Sequence, residues 1–214
     1  MTDWTQKTIT INGKDIAVWP QDLEVAYLSQ EPVMMIAWFE DFGEYHEALT
    51  KRVLELEQDP DFTHQMKIGG SKVRDVAAWG IPEAELIDQR ARAFFAQASN
   101  IDDAKVEQSW ASVYRKGDYL SPHSHNHTMG AVVYCLEWGD PDPQQTLSGR
   151  LVFSDPRIAE CCHLEPGAVT QELTPDLRNG AMVLFPGAMV HFVHPYSGTR
   201  PRITIAWNIN PYEN

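Results

Sequence analysis

The stretch Tyr114–His127, YRKGDYLSPHSHNH, decides how the rest of the chain is read. His123, His125 and His127 alternate with Ser124 and Asn126. Side chains on a strand repeat with period two, so a strand here would send all three imidazoles from one face. Neutral imidazole suits iron, zinc, copper and nickel. Two histidines two positions apart can take neighbouring coordination positions, whereas a third on the same strand is hard to bring onto the same ion. A further ligand is expected from a distant strand. Its supplier is His191 in GAMVLFPGAMVHFVHP, residues 180–195, where Phe185-Pro186-Gly187 turns the chain into a short apolar run ending in histidine. The expected metal set is His123, His125 and His191.

Composition narrows the context. A chain of 214 residues can bury one large core or two small ones, and one domain over 1–214 is expected. Lys plus Arg number 17 against 30 Asp plus Glu, a formal charge of −13, which disfavours a nucleic-acid partner and leaves a basic substrate open. Cys135, Cys161 and Cys162 have no repeated metal-type spacing, and their odd number argues against a disulfide framework. Nothing near Met1 reads as a basic-then-apolar leader, and no apolar run reaches about 18 residues. Neither membrane insertion nor secretion is indicated, and a cytoplasmic location is expected. A homodimer is the default oligomer.

Outward from the histidines, the chain divides by period. Residues 7–11 and 15–19 flank Asn12-Gly13, a hairpin signal. Apolar residues from Met35 through Phe39, Phe42, Leu49, Val53 and Leu56 recur at three and four positions, so a helix, interrupted at Gly43, is expected from Pro32 to Leu56. Asp59-Pro60 ends it, and the segment through Ile68-Gly69-Gly70-Ser71 reads as a loop. A second helix is expected over residues 82–98, with proline in its first turn. After Asn100 come short β-prone runs at 105–114, 131–137, 149–153, 168–173, 181–185, 190–194 and 203–209. Such spacing suggests a sandwich or barrel, with the supporting helices and strands of 1–104 covering one sheet of the 105–210 core.

These motifs in order resemble a known family. Gly117, five residues, His123-x-His125, later Gly180, five residues, Pro186 and then His191 are similar to the two motifs of the cupin superfamily. More specifically, residues 110–117, the HSH, Val133-Tyr-Cys-Leu136, residues 151–157, Leu184-Phe-Pro186, His191 and Arg202-Ile-Thr-Ile-Ala-Trp-Asn208 resemble a family of bacterial iron(II) and 2-oxoglutarate-dependent oxygenases. The resemblance covers roughly the last half of the chain. It implies a mainly β fold, a double-stranded β-helix or jelly roll with N-terminal helices packed on one sheet. It also implies Fe(II) as cofactor, 2-oxoglutarate as cosubstrate and hydroxylation of an unidentified small-molecule or peptide substrate.

The resemblance implies roles for further residues. The distal carboxylate of the cosubstrate is normally held by a basic residue on the strand after the last histidine, where a guanidinium gives bidentate pairing. Arg202 is expected there, with Arg200 as its competitor because of its distance from His191. Tyr114 matches a tyrosine that hydrogen-bonds the cosubstrate in relatives, although a half-buried barrel tyrosine would look the same. Most oxygenases of the wider superfamily carry a carboxylate where this chain has His125, which leaves one more positive charge at the metal, while the nearer family looks to have a histidine here too. The glutamate expected after the cupin HxH is absent too, its positions being Met129 and Gly130. His127 is a group beyond the ligands if the strand continues, or solvent-facing if a turn begins at Asn126. Cys161-Cys162-His163 is read as structural, and Trp38, Trp79, Trp110, Trp138 and Trp207 as pocket or core. Two other functions fit the histidines: a three-histidine cupin dioxygenase or isomerase needing no keto acid, and a non-catalytic metal-binding barrel.

Overall fold

The computed structural model describes residues 3–30, 33–66, 69–155, 157 and 172–212. In chain order the elements are β1 (Thr8–Ile11), β2 (Lys14–Ala17), β3 (Val25–Gln30), β4 (Val33–Trp38), α1 (His46–Leu56), β5 (Thr63–Gln65), β6 (Ser71–Arg74) and α2 (Pro82–Ser99). They continue with β7 (Ala104–Tyr114), β8 (Leu120–His123), β9 (Gly130–Glu137), β10 (Leu151–Phe153), β11 (Ala181–Pro186), β12 (His191–Val193) and β13 (Arg202–Pro211). The large sheet has the order β3-β4-β11-β9-β13-β7-β6-β5, and a small sheet has the order β10-β12-β8. Their strand pairings are antiparallel. This is the mainly β, double-stranded β-helix architecture expected from the sequence.

Period-two alternation sorts the large sheet into two faces. Ile203, Ile205, Trp207 and Ile209 of β13 and Val132, Tyr134 and Leu136 of β9 join the cluster under the helices. Ala131 and Cys135 of β9, Val183 and Phe185 of β11 and Tyr114 of β7 face the small sheet, where Leu151, Phe153 and Val193 meet them. α2 begins with Pro82 at its first position and ends at Asn100, whose left-handed backbone (φ 52°) closes the last turn. Leu86, Ile87, Ala91, Phe94 and Phe95 are its buried stripe.

A polar network under the helices ties them to the sheet. Arg90 is fully buried; it donates to both carboxylate oxygens of Asp41 (3.0 and 2.6 Å), to Tyr45 Oη (2.8 Å) and to the carbonyls of Ala17 and Val18. Tyr45 Oη lies 3.0 Å from Tyr134 Oη, which is 2.5 Å from His46 Nε2. Every Arg90 nitrogen therefore has a partner, as a buried charge requires. On the same face Asp88 takes the indole N–H of Trp207 (2.9 Å) and Arg92 Nε (2.8 Å), linking α2 to β13.

Three sequence expectations require correction. Residues 33–38 form β4, a central strand between β3 and β11, and the helix starts only at His46, after a 3-10 turn at Glu40–Glu44. A continuous apolar run buried on both faces of a sheet carries no alternation and mimics helical spacing. The segment taken as a loop around Gly70 leads directly into β6, which pairs with β7. β3 and β5 also escaped the reading, since short or polar strands leave a weak pattern. Most of the 168–173 run and Cys161-Cys162-His163 lie outside the described residues; Leu173 forms an isolated bridge with Phe153.

Candidate metal and cosubstrate site

His123 ends β8 and His191 opens β12, and the two are directly opposite in the antiparallel register. His125 lies beyond the end of β8, so strand alternation does not place it. Its backbone N–H donates to the carbonyl of Gly187 (2.7 Å), and Gly187 N–H donates to the carbonyl of Met129 (3.0 Å). The Phe185-Pro186-Gly187 turn therefore clamps the histidine loop to the segment that leads into His191. One nitrogen from each of His123, His125 and His191 lies within 4.8 Å of the others, the sole such group among the described residues.

The tautomers follow from the backbone. His123 Nδ1 donates to the carbonyl of Ser121 (3.0 Å), and His191 Nδ1 donates to the carbonyl of Met189 (2.9 Å). Each Nε2 is thereby left with its lone pair. His125 Nε2 lies 3.3 Å from His123 Nε2. The lone pairs left at His123 Nε2 and His191 Nε2 are available to a cation, His125 Nε2 joins them in the tautomer that carries its proton on Nδ1, and carbonyls that fix Nδ1 are the usual support of a ligating imidazole. Burial holds His191 down at about 3 and lowers His123 and His125 as well, so all three are neutral donors at physiological pH.

Across the narrow cavity, lined by residues of both sheets, lies Arg202. It is 1% exposed, and its Nε, Nη1 and Nη2 have no hydrogen-bond partner among the described residues. Its guanidinium carbon stands 5.5 Å from the Tyr114 ring and 5.3 Å from the Trp138 ring. Burial lowers the Arg202 pKa, and burial raises that of Tyr114. Contrast with Arg90 is direct: one buried guanidinium is saturated, the other has all its donors idle. A fork of unused donors in an apolar wall fits an incoming carboxylate. The donor sets at the two ends of the cavity thus fit a divalent metal ion and an anionic cosubstrate.

Other sequence candidates fall elsewhere. Arg200 is exposed and donates to the carbonyl of Gly139 (3.0 Å), outside the cavity. His127 has a left-handed backbone (φ 56°) and is exposed, in the turn that follows Asn126. Trp110 and Trp207 line the cavity, whereas Trp79 is core, its indole donating to the carbonyl of Arg74 (2.9 Å). Lys72, Ser112, Thr204 and Ala206 also line the cavity and were not singled out from the sequence. Alternation from Arg202 through Thr204 and Ala206 was a readable signal for two of them, but Lys72 directly follows the segment read as a loop and was assigned to no element.

Residues 108–208 match the family described as "Putative 2OG-Fe(II) oxygenase". No curated protein matches the chain. Among solved structures, AviO1 from Streptomyces viridochromogenes Tue57 is similar at 14% identity and TM-score 0.60, over 89% of this chain and 91% of that one. A Pseudomonas putida prolyl-4-hydroxylase matches at 16% identity and TM-score 0.57, over 90% of this chain and 95% of that one. The epimerase SnoN, in complex with Fe3+, alpha ketoglutarate and nogalamycin RO, matches at 14% identity and TM-score 0.63, over 85% and 79%. These likenesses support the fold, and the family match falls on residues 108–208, the segment that bears the three histidines and Arg202: this part of the chain is similar to the 2OG-Fe(II) oxygenases, a family that uses iron(II) and 2-oxoglutarate.

Proposed function

We propose that His123, His125 and His191 hold iron(II), that Arg202 anchors the distal carboxylate of 2-oxoglutarate, and that the chain, acting as one domain over 1–214, hydroxylates a small-molecule substrate. The observation that carries this is the idle Arg202 guanidinium facing the histidine cluster across one cavity. Bound there, iron(II) and 2-oxoglutarate would supply, with dioxygen as the oxidant, oxidative decarboxylation of the keto acid coupled to hydroxylation of a substrate C–H bond. The protein's part is positional. His123, His125 and His191 would hold the ion with three neutral imidazoles, too few to fill its coordination shell. Arg202 orients the cosubstrate by a bidentate pair. Tyr114, in register with Arg202, backs the guanidinium with its ring. Apolar walls from Leu151, Val193 and Val133 keep bulk water from the reacting atoms.

Conversion of 2-oxoglutarate to succinate, followed by NMR with iron(II) and oxygen, tests the reading. Turnover in the wild type that is lost in His125→Ala and Arg202→Met supports it. Bound iron without succinate, and without 2-oxoglutarate binding, would favour a three-histidine cupin that needs no keto acid.

A further inference from the structure

On a chain with 30 acidic residues, no Asp or Glu lines this cavity, but two cations do: Arg202 and Lys72. Lys72 sits on β6, opposite Ser112 of β7. Its Nζ rests 4.1 Å from the centroid of the Trp110 ring, and Trp110 in turn lies 6.3 Å, ring to ring, from His125. The indole N–H is turned away to Ser112 Oγ (3.2 Å). Lys72 Nζ has no ion-pair or hydrogen-bond partner among the described residues. Other basic groups nearby are occupied: Arg115 forms a bidentate pair with Glu57 (2.6 and 2.8 Å).

Charge balance explains why this matters. One carboxylate of 2-oxoglutarate would lie against the metal ion and the other against Arg202, and the three neutral histidines add no negative charge. The positive charge that remains is costly in a low-dielectric cavity. Lys72 is left, beside the histidines and held by an aromatic face that spares its N–H donors.

We propose that Lys72 is the substrate-recognising cation of the site, and that the substrate is a small organic anion whose carboxylate or phosphate pairs with its ammonium. This rests on the oxygenase reading above and deepens it. Trp110 holds the ammonium in place, so the anion fixes the rest of the substrate against the histidine face.

The test uses zinc-loaded protein saturated with 2-oxoglutarate, which binds without turning over. Calorimetric titration with phenylacetate, phenyl phosphate and neutral phenylacetamide is run on the wild type, Lys72→Met and Lys72→Arg. The 2-oxoglutarate Kd is measured in each first. The expected result is an anion preference over the amide of about ten-fold or more, lost in Lys72→Met and kept in Lys72→Arg, with the 2-oxoglutarate Kd unchanged. Phenylacetate and phenyl phosphate together separate carboxylate from phosphate as the preferred group. No preference in the wild type, no anion binding, or a preference that survives Lys72→Met would overturn the proposal. A 2-oxoglutarate Kd that weakens in Lys72→Met as much as in Arg202→Met would make Lys72 a cosubstrate group, overturning the proposal while the oxygenase reading stands. Failure of the wild type to bind 2-oxoglutarate at all would remove that reading, and the substrate assignment with it.

Discussion

Arg202 stands directly opposite Tyr114 in the β13–β7 register, its guanidinium carbon 5.5 Å from the tyrosine ring, with three nitrogens that meet no acceptor among the described residues. Folding alone does not favour such an arrangement, because a desolvated cation without a partner costs stability. Replacing it with an apolar side chain of similar length should therefore separate stability from binding. Arg202→Met is expected to leave the unliganded protein as stable as the wild type or more so, and to weaken 2-oxoglutarate binding by about 100-fold, the worth of a charge-assisted bidentate pair. Thermal unfolding and calorimetry on the same samples check both halves. A large loss of stability would mean that Arg202 is structural.

Gly149 bears on the same side chain from outside the site. Its φ is +65°, and a β-carbon there would come within 2.8 Å of Arg202 Cδ and 2.9 Å of Tyr196 Cδ2. Gly149→Ala is expected to displace the guanidinium and weaken 2-oxoglutarate binding by about ten-fold or more, the effect of misplacing a positioning group. Metal affinity should be unchanged, as measured by equilibrium dialysis against zinc.

The histidines make a sharper contrast. His125→Ala is expected to lower metal affinity by at least about 100-fold, since even outer supports of a ligand cost 10–100-fold. Its effect on unfolding in urea should stay within about 1 kcal/mol, because the half-buried ring holds no strands together. His127→Ala, two positions on but exposed and turned away, should change neither quantity.

Part of the pH dependence of stability should come from the helix side. Burial lowers His46 from 6.5 to about 4, with Asp41 opposing and Arg90 assisting, and the ring is held by Tyr134 (2.5 Å) beside Tyr45. Folded His46 is neutral above about pH 4, whereas the unfolded chain takes up its proton below 6.5. Between those limits the unfolded state binds more protons, so stability falls as pH falls, by up to about 3 kcal/mol, and flattens below. Asp155, held near 2 first by its hydrogen bonds from Arg157, acts in a lower window: its contribution is lost as pH drops from 3.8 towards 2. Urea denaturation at a series of pH values should show the upper slope in the wild type and a shallower one in His46→Gln, the difference isolating His46 from the other histidines.

Much of this site is legible in the sequence because its supports are local. His123 and His125 sit two apart, Pro186-Gly187 announces the turn that clamps their loop, and Arg202 opens an alternating strand whose faces can be counted. Residues whose placement depends on distant pairing are not legible. Lys72 enters the cavity only because β6 adds to the edge of β7 through four residues, SKVR, too short and polar to show a period. The 33–38 run illustrates the reverse: its signal was strong but ambiguous, since burial on both faces erases the alternation that separates strand from helix. His125 is held by a loop contact with Gly187, so the simple picture of three histidines on one strand gives the right first residue and the wrong geometry for the last.

The most direct single measurement is an anaerobic titration of iron(II)-loaded protein with 2-oxoglutarate, followed in the visible range. A metal-to-keto-acid charge-transfer band should appear and saturate in the wild type, and should need far more 2-oxoglutarate in Arg202→Met. Stoichiometrically bound iron with no band at any 2-oxoglutarate concentration would contradict the assignment of this cavity to the cosubstrate.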